Sequence, residues 1–575
     1  MKHTWRQKPI PDGKIAQQLQ EQLHIDPALA TILAQRGIST YEEAEHYFRP
    51  ELSQTHSPFL MKNLEKAVER FNQAMKNNEK VMIYGDYDVD GTSSVSLFLN
   101  VIREHYSNVD FYIPDRFSEG YGLNLEAVKK IHQQGFTLLF TLDCGIRSVH
   151  EIATAIDLGI DVIVCDHHEP GEEIPNGFIL DPKQADCPYP YKELCGCGVT
   201  FKFLQGVFEK NQWNPQILIE NLDLVSLAIG ADIVPITGEN RILCAFGIRQ
   251  INEQRSTVID LMFRQAKKSY PVQLSDVVFT IAPRINAAGR LKHAHLIVEL
   301  FTCKDLPEIQ SRITEIDLLN TERKTLDRQI AVEAISQIEN ATNFHYSNVV
   351  YDEHWAKGVI GIVASKLVEK NNRPSIVLTK SNGVLSGSGR SIPQINIFNV
   401  LTRCSEHLEQ FGGHDFACGM TLKEENLPAF KQAFEQEMER EFQHTDCTPY
   451  LDIDTEIDFK NIYHPTDTTD KLPRFARILQ QMEPFGTANR HPVFLTKNVY
   501  ISDYKILKGE HYRFEFQQRG LPIRISGIAF FFNEEFAPIE DAKPVDIVYS
   551  IGVNRWNGKE TVQLEIKGIR PAERS

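Results

Sequence analysis

The chain has 575 residues, of which 42% are hydrophobic and 24% charged, a composition typical of a soluble globular protein with three or four domains. Its net charge of −16 at pH 7 argues against indiscriminate binding to nucleic acid, because phosphate contacts need lysine and arginine. The sequence contains no apolar signal-peptide core near Met1 and no run of about 18 apolar residues. We therefore expect a cytoplasmic protein that does not enter a membrane.

The first two thirds of the chain predict helices, then a sheet, then one long helix. Residues 1–75 predict short helices at 15–23, 27–36, 41–47 and 63–76, which we expect to wrap around the first large domain. From 76 to 303, short apolar runs alternate with helical patterns, which is typical of a doubly wound parallel α/β sheet. Residues 304–345 predict a long amphipathic helix with Pro307 in its first turn. We expect this helix to link two lobes, although an ordinary packing helix would show the same pattern.

The last third predicts a second α/β domain and a barrel. Residues 346–445 contain strand patterns at 348–351 and 375–378, a helical pattern at 359–369 and a glycine-rich segment. From 446 to 575, strand patterns at 512–517, 523–531, 545–553 and 561–569 predict a small β-barrel. Five aromatic side chains here could stack on bases, although packing within the barrel is the more ordinary role of each: Tyr504, Tyr512, Phe514, Phe516 and Trp556.

Three apolar runs in the first α/β region, at 81–84, 138–142 and 162–165, end near residues that bind hard metal ions. Asp86, Asp143 and Asp166 follow these runs. Because the carboxyl ends of parallel strands share one crevice, we expect the three carboxylates to converge in a metal cluster. Taken alone, Asp143 would equally well cap a helix.

The first of these segments carries two more acids, Asp88 and Asp90. They alternate with Asp86, so an extended backbone would point all three carboxylates the same way, where they repel one another unless a cation lies among them. A solvated acidic turn and a calcium-binding loop are the alternatives, but the segment lacks the distal glutamate of an EF-hand.

Two histidines, His167 and His168, follow Asp166 directly. Adjacent histidines after a strand are often ordinary surface residues. Combined with the carboxylates, they complete an oxygen-and-imidazole set that suits Mn2+ or Mg2+ better than structural zinc, and the nitrogen ligands favour manganese. Asp232, at the end of another apolar segment, could supply a further carboxylate.

The ten cysteines do not predict a metal site or a disulfide framework. Most lie inside apolar segments, which is typical of reduced, buried thiols. Cys187, Cys195 and Cys197 form a cluster, but it lacks the paired Cys-x2-Cys spacing of a structural zinc site.

The order of the motifs resembles the DHH phosphoesterase superfamily. The resemblance rests on GDYDVDG at 85–91, TLDCG at 141–145, DHH at 166–168 and ADIVP at 231–235. Further motifs narrow it to the RecJ family of single-strand-specific 5′-to-3′ DNA exonucleases: PDRF at 114–117, GYGL at 120–123, PRINAAGR at 283–290, GVIGIVAS at 358–365, GSGRS at 387–391 and GGH at 412–414. The similarity runs from about residue 75 to the C-terminus.

This resemblance implies a fold and an activity. It implies a DHH catalytic domain at 76–303, a DHHA1 domain at 346–445 and a DNA-binding OB-fold barrel at 446–575. The implied activity is two-metal hydrolysis of single-stranded DNA from the 5′ end to mononucleotides, in DNA repair and recombination. The implied partners, besides single-stranded DNA, are a helicase and a single-strand-binding protein, and we expect a monomer.

The resemblance also assigns roles to residues. Asp143 would bridge two Mn2+ or Mg2+ ions, and their shells would be completed by Asp86, Asp88, Asp90, His167 and Asp232. The catalytic set would be Asp143, Asp166 and His168, with His168 bonding the phosphate in the transition state. Substrate phosphate, including the terminal 5′-phosphate, would be held by Arg116, Arg284, Asn286, Arg290, Ser388, Arg390 and His414.

Two positions depart from the family pattern. Ala356 stands where the family usually has histidine, and Lys366 where it usually has arginine. Neither belongs to the metal set, so the departures affect phosphate contacts rather than the chemistry.

Two other functions remain open at this point. The first is a DHH-family phosphodiesterase acting on oligonucleotides, cyclic dinucleotides or pyrophosphate, which the barrel disfavours because a small substrate needs no extended binding surface. The second is an inactive DNA-binding scaffold, which the intact acidic set disfavours because buried, unpaired carboxylates are costly.

Overall fold

The computed structural model of the chain describes residues 3–10, 12–341, 345–464, 471–507, 511–530, 543–556 and 558–572. The chain divides into two compact units. The first comprises Met1–Pro114, Glu119–Ala282 and Tyr450–Ser575, and the second comprises Asp115–Ser118 and Pro283–Pro449. The predicted sheet and the predicted barrel therefore belong to one unit, although about 170 residues separate them in sequence.

The first unit begins with short elements that lead into an α/β sheet. The N-terminal elements are β1 (Thr4–Gln7), α1 (Gly13–Leu23), α2 (Pro27–Gln35), α3 (Tyr41–Phe48) and α4 (Leu64–Asn77). The sheet and its helices are β2 (Val81–Gly85), α5 (Val89–Ile102), β3 (Val109–Tyr112), α6 (Leu125–Gln133), β4 (Leu138–Leu142), α7 (Val149–Asp157), β5 (Asp161–Cys165) and β6 (Phe178–Leu180). Helices follow as α8 (Gly196–Asn211), α9 (Gln216–Glu220), α10 (Leu222–Ala231), α11 (Gly238–Asn252), α12 (Thr257–Gln265) and α13 (Leu274–Asp276), before a π-helical turn at Val277–Ile281.

The sheet is wholly parallel, with strand order β3-β2-β4-β5-β6. This doubly wound order reverses between β2 and β4, where open α/β sheets bind their ligands. Gly85 pairs with Leu142, and Leu142 pairs with Cys165, so the central strands end level with one another. The residues that follow these three strands must therefore lie side by side.

The second unit contains the long helix and a mixed sheet. Its elements are α14 (Ala282–Leu291, of which Ala282 belongs to the first unit), α15 (His295–Thr302), α16 (Leu306–Asn340), β7 (Asn348–Tyr351), α17 (Ile360–Asn371), β8 (Ser375–Ser381), β9 (Val384–Arg390), α18 (Ile397–Arg403), β10 (Gln410–His414), β11 (Ala417–Leu422) and α19 (Leu427–His444). Helix α16 has 35 residues and hence a length of about 52 Å. Asp305 caps it, and Pro307 occupies its first turn as the sequence predicted. The sheet order is β10-β11-β9-β8-β7.

The C-terminal part of the first unit is a closed barrel. Its elements are β12 (Tyr450–Ile453), β13 (Thr455–Glu456), α20 (Phe459–Ile462), α21 (Arg474–Gln481), β14 (Phe494–Leu507), β15 (His511–Gln518), β16 (Arg524–Ala529), β17 (Val545–Trp556) and β18 (Lys559–Pro571). The order β13-β14-β15-β16-β18-β17 closes through pairing of β14 with β17. The sequence missed β14, the longest of these strands. Residue 531, at the end of one predicted strand, lies outside the described residues.

The N-terminal helices share their core with the barrel. Leu19 of α1, Leu29 of α2 and Ala44 of α3 belong to the same buried cluster as Phe475 and Phe514, and β1 pairs in parallel with β12. Helices α1–α3 therefore have a partner that the sequence did not predict, the core of the barrel. The pattern of a short amphipathic helix shows that one face is buried, but not which partner buries it.

Helix α4, in contrast, packs on the parallel sheet as predicted. The Phe71 ring lies 5.8 Å from the Phe98 ring and 5.5 Å from the Phe140 ring, both in edge-on geometry.

Within the described residues, no helix has the length and apolar character needed to cross a membrane.

We predict that Leu29→Ala lowers the free energy of unfolding by about 3 kcal/mol, because a fully buried leucine is replaced by a cavity. Urea denaturation measures the loss. Leu318→Ala is the control, because Leu318 is 67% exposed on α16 and its truncation should cost less than about 0.5 kcal/mol. Equal stability of the two variants would show that α2 does not contribute to the core of the first unit.

Candidate metal centre and phosphate pocket

The level strand ends bring carboxylates together at one edge of the parallel sheet. Asp86 follows β2, Asp143 follows β4 and Asp166 follows β5. Asp143 donates its backbone N–H to the Cys165 carbonyl at 2.9 Å, which continues the ladder one residue beyond β4. Asp86, Asp143 and Asp166 are all buried. All three residues lie at the predicted edge, but Asp166 is in none of the candidate metal groups found in the described part of the chain.

Asp88 and Asp90 reach the same edge by a different geometry from the one predicted. The segment is not extended through all three acids, because Asp88 is the N-cap of α5 and accepts the Gly91 N–H at 3.0 Å. Asp90 lies in the first turn of that helix. Asp86, Asp88 and Asp143 still place carboxylate oxygens within 4.8 Å of one another.

His167 joins the two sides of the cluster. Its Nε2 lies 3.2 Å from Asp143 Oδ1, 3.5 Å from Asp232 Oδ2 and 3.8 Å from Asp90 Oδ2. Asp232 is the C-cap of α10, so a helix end contributes to the same site. Every residue predicted to hold a metal therefore lies in this cluster.

The charges of the cluster are not balanced by protein groups. Burial, and then the charges of Asp90, Asp88 and other carboxylates, raise the pKa of Asp143 well above its ordinary value. Burial and the same neighbours raise the pKa of Asp232 to about 8. A divalent cation among these groups would supply the missing positive charge and lower those pKa values.

Two buried atoms of the cluster are suited to bind a metal ion. Asp143 Oδ1 and His167 Nε2 are buried and make no hydrogen bond with any described residue. Burial, and then the neighbouring charge of His168, lower the pKa of His167 to about 3, so its imidazole is neutral at pH 7 and can donate a nitrogen lone pair. A buried acceptor pair without a donor fits bound metal, and the oxygen-and-imidazole set fits Mn2+ or Mg2+.

Asp90 has an additional partner that the sequence did not reveal. Its two carboxylate oxygens accept the backbone N–H groups of Gly196 and Cys197, each at 2.7 Å, at the N-terminus of α8. These bonds lower the pKa of Asp90, but burial and the charge of Asp88 outweigh them and raise it to about 7. Asp90 is therefore fixed by α8 as well as by its own helix.

His168 differs from its neighbour because Asp166 charges it. Asp166 accepts the His168 Nδ1 proton at 2.7 Å and the Ile146 N–H at 2.9 Å. Burial opposes the charge on His168, but the bond to Asp166 prevails and raises the pKa of His168 to about 9. His168 is thus a cation at neutral pH, and Asp166 positions it. The Tyr121 hydroxyl lies 3.2 Å from His168 Nε2, a contact not anticipated from the GYGL motif.

The sequence analysis also missed Asp181. It follows β6, the next strand of the sheet, is fully buried, and accepts the Lys183 N–H at 2.7 Å through Oδ1. Burial, and then the charge of Asp166, raise the pKa of Asp181 to about 7. The signal was available, because residues 178–180 are an apolar run that ends in aspartate, but the run has only three residues.

A separate cavity in the second unit collects part of the predicted phosphate set. It has a volume of about 400 Å3 and its lining includes Arg116, Arg290, Ser388 and Arg390. Arg390 Nη1 donates to Ser388 Oγ at 2.9 Å. Three arginines with a hydroxyl suit an oxyanion.

The N-terminus of α17 forms one wall of this cavity, through Ile360 and Gly361. A Cβ on Gly361 would lie 3.0 Å from both Arg390 Nη2 and Ser388 Oγ. The glycine therefore allows the helix end to approach the arginine closely, and the N–H groups of the first turn favour an anion there.

The other predicted phosphate contacts do not line this cavity. Arg284 forms an ion pair with Asp317 at 2.8 Å, and Asn286 and His414 are also absent from the lining. Their phosphate roles stay predictions.

Of the two departures from the family pattern, Lys366 forms an ion pair with Asp327, and neither Ala356 nor Lys366 lines the cavity.

The cysteines and barrel aromatics have ordinary environments. Cys187, Cys195 and Cys197 are buried and free, and no candidate metal group found in the described part of the chain contains them. Phe514 and Phe516 are fully buried in the barrel core, whereas Tyr504 and Trp556 are 49% and 73% exposed. Tyr512 stacks on Tyr504 with ring centroids 6.4 Å apart.

We predict that Gly196→Ala weakens Mn2+ binding by at least about tenfold. Changes to the residues that support metal ligands typically weaken metal binding by about 10-fold to 100-fold. A Cβ at this position would lie 2.6 Å from Asp143 Cβ and 2.7 Å from Asp143 Oδ1, so Asp143 must move. Isothermal titration calorimetry with Mn2+ measures the change. Gly198→Ala, on the same helical turn, is the control, because its nearest neighbours at 3.3 Å belong to the flexible Leu194 side chain. Unchanged Mn2+ affinity in Gly196→Ala would remove Asp143 from the metal site.

Three family models match successive parts of the chain. The DHH family N-terminal domain matches residues 80–229, the DHHA1 domain matches 341–440 and the RecJ OB domain matches 462–568. The DHH match spans β2 to α10 and so contains nearly the whole metal cluster. The DHHA1 match contains Ser388 and Arg390.

Curated proteins and solved structures match over nearly the whole chain. The single-stranded-DNA-specific exonuclease RecJ of Bacillus subtilis is 35% identical, covering 98% of this chain and 70% of its own length. The protein of the same name from Escherichia coli is 30% identical, covering 95% and 96%. The crystal structure of RecJ in complex with Mn2+ from Thermus thermophilus has 26% identity and a TM-score of 0.84, covering 99% of this chain and 80% of that one. The chain belongs to the RecJ family.

Proposed function

We propose that the chain is a metal-dependent exonuclease that hydrolyses single-stranded DNA from its 5′ end and releases mononucleotides. The observation that carries the proposal is the cluster of carboxylates from strand and helix ends around His167, in a chain whose curated relatives are named single-stranded-DNA-specific exonucleases. The alternating acids and the DHH motif supply the ligands, and the barrel supplies an additional surface for a longer substrate.

The proposed ligand sets overlap at one residue. Asp86, Asp88 and Asp143 form one group of converging oxygens, and Asp143 also groups with His167. We therefore propose that Asp143 would bridge two Mn2+ or Mg2+ ions. Asp90 and Asp232 lie with His167 on the other side of the cluster. When bound, the two ions would supply a nucleophile that is deprotonated at neutral pH and positive charge for the phosphate in the transition state.

The protein groups around the ions have separate tasks. Asp166 keeps His168 protonated, so Nε2 of His168 can donate a charge-assisted hydrogen bond to a non-bridging phosphate oxygen. The α8 N-terminus holds both oxygens of Asp90, and Gly196 leaves room for Asp143. Asp166 is therefore a positioning residue, whereas Asp143 and His168 would contact the reacting groups.

The cavity around Arg390 supports the proposed polarity. A terminal 5′-phosphate carries more negative charge than an internal phosphodiester, so a site with Arg116, Arg290, Arg390 and the α17 N-terminus favours it. Binding of that phosphate would select the 5′ end of the strand.

A small-substrate phosphodiesterase is the second candidate function. It would use the same metals, but it would have no use for the barrel that ends the chain.

Partners and assembly stay predictions from the family resemblance. We expect the enzyme to act as a monomer in the cytoplasm, with a helicase that unwinds duplex DNA and a single-strand-binding protein that covers its substrate, in repair and recombination. None of these follows from the geometry of the two sites.

Digestion of labelled DNA tests the function directly. With Mn2+ present, a 3′-labelled single strand should shorten progressively from its 5′ end, its label should leave last, and a blunt duplex should resist. Early release of the label as a mononucleotide would contradict the proposed polarity. Faster cleavage of dinucleotides than of longer strands would instead favour the small-substrate function.

We predict that Asp143→Ala lowers the exonuclease rate by at least roughly a hundredfold while preserving the fold, because losing the bridging carboxylate disrupts both metal shells. A nuclease assay and a thermal melting curve measure the two quantities. Asp110→Ala, an exposed carboxylate on β3 of the same sheet, is the control. Activity within about tenfold of wild type would exclude Asp143 from the bridging role.

We also predict that Arg390→Ala raises KM mainly for 5′-phosphorylated strands, because the planar guanidinium matches a terminal phosphate. Steady-state kinetics on phosphorylated and unphosphorylated oligonucleotides separate the two effects. Lys380→Ala is the control, because it also removes a positive charge from the second unit but lies outside the cavity, on β8, where Lys380 pairs with Glu424 at 2.8 Å. It should leave KM unchanged for both substrates. Equal losses on both substrates would contradict the assignment of Arg390.

A further inference from the structure

A second cavity lies in the first unit. It has a volume of about 330 Å3, and we call it the Arg36–Arg241 cavity after the two arginines in its lining. Parts of α3, the start of α11 and the loop at residues 488–489 enclose it. None of its lining residues belongs to the metal centre or to the phosphate pocket of the second unit.

Arg241 is a buried charge with few partners. Its side chain is 5% exposed, its Nη2 donates to the Gln481 carbonyl at 3.5 Å, and its Nε and Nη1 make no hydrogen bond with any described residue. The guanidinium lies 4.0 Å from the centre of the Tyr47 ring. A cation–π contact of about 2 kcal/mol does not offset the cost of several kcal/mol for burying a charge.

Arg36 adds a second positive charge without a carboxylate. It donates to the Tyr47 hydroxyl at 2.6 Å and to the Arg490 carbonyl at 2.7 Å, both of which are neutral acceptors. Within the described ranges, neither Arg36 nor Arg241 forms an ion pair. Burial, together with the positive charge of Arg36, lowers the pKa of Arg241, so the two guanidiniums oppose each other's charge.

The two carboxylates in the lining are already engaged elsewhere. Glu43 accepts hydrogen bonds from the Ser39 N–H at 2.7 Å and from the Thr40 N–H at 3.2 Å, within the capping box of α3. Glu239 accepts from the Tyr189 hydroxyl at 2.6 Å and forms an ion pair with buried Lys202 at 3.3 Å. Among the described residues, neither acid forms an ion pair with Arg36 or Arg241, and Lys202 balances the charge of Glu239.

The N-terminus of α11 adds to the positive potential. Thr237 and Gly238 line the cavity, and α11 has 15 residues, so its first-turn N–H groups carry a substantial partial charge. Thr237 does not cap the helix with its side chain, because its hydroxyl lies 3.1 Å from the Tyr191 hydroxyl. A helix N-terminus, a buried guanidinium whose Nε and Nη1 make no hydrogen bond with any described residue, and a second arginine thus line the same cavity.

We propose that the Arg36–Arg241 cavity binds an oxyanion of the phosphate class. The anion would accept from the Arg36 and Arg241 forks and from the first turn of α11, which supplies the counter-charge that the protein lacks there. It would also join the N-terminal helices, α11 and the loop before β14 through one ligand. Two sources present this chemistry: a free phosphate or nucleotide, and a backbone phosphate of bound DNA.

Calorimetry with inorganic sulfate tests the proposal on the whole 575-residue, Mg2+-loaded chain. The titration is done in an Arg390→Ala background, so that the pocket of the second unit does not contribute. We expect one sulfate per chain, and at least tenfold weaker binding after Arg36→Gln or Arg241→Gln. Arg36 is only partly buried, so Arg36→Gln keeps the test valid if Arg241→Gln fails to fold.

Arg49→Gln is the matched control: Arg49 is the C-cap of α3 as Arg36 is of α2, but its side chain is 81% exposed and it lies outside the cavity lining. It should bind sulfate as the Arg390→Ala parent does. Absence of saturable sulfate binding, or equal affinity in the Arg36→Gln and Arg49→Gln proteins, would overturn the proposal and leave the arginines a purely structural role. The readout does not depend on exonuclease activity, so failure here is distinct from failure of the proposed function.

A second titration identifies the source of the anion. Asp143→Ala is added so that DNA survives, and sulfate is titrated with and without a saturating oligothymidylate. If a DNA phosphate occupies the cavity, the oligonucleotide blocks sulfate binding. Arg36→Gln then makes the slope of log DNA affinity against log salt concentration shallower by about 0.7. If the anion is free, sulfate and DNA bind independently.

Discussion

Repulsion among buried carboxylates governs the metal centre. The parallel register ends β2, β4 and β5 level with one another, so Asp86, Asp143 and Asp166 emerge at the same edge of the sheet. Helix ends add Asp90 and Asp232. Such a group of negative charges in a buried site is unfavourable without cations, which explains why the pKa of Asp143 and that of Asp232 are raised. Metal binding at neutral pH should therefore release protons.

The surroundings of each titratable side chain in the metal centre determine whether it is charged. Adjacent histidines differ because His168 has a carboxylate partner in Asp166, whereas His167 is buried with its Nε2 directed at the carboxylates. One is a cation and the other a neutral imidazole, although their sequence context is nearly identical. Gly196 allows α8 to approach Asp143, and the same helix end fixes Asp90. The chemistry thus depends on packing between α8 and the sheet as well as on the DHH motif.

Much of this could be predicted from the sequence, because strand ends carry their own signal. Apolar runs that end in aspartate located β2, β4 and β5, and the parallel α/β pattern implied their convergence. Local patterns did not reveal partners distant in sequence: α1–α3 pack on the barrel 400 residues later, and the α8 N–H groups that hold Asp90 lie more than 100 residues away. Asp181 was missed because three residues are too few for a clear strand pattern. The extended reading of 86–90 failed because Asp88 is a good helix cap.

The account depends on two ions sharing Asp143. Anomalous diffraction at the manganese edge, from crystals of the wild-type chain grown with Mn2+, measures this most directly. We predict two peaks about 3.5–4 Å apart, with an oxygen of Asp143 between them and His167 Nε2 bound to one of them. A single peak, or two peaks with Asp143 bound to neither or to only one of them, would contradict the account.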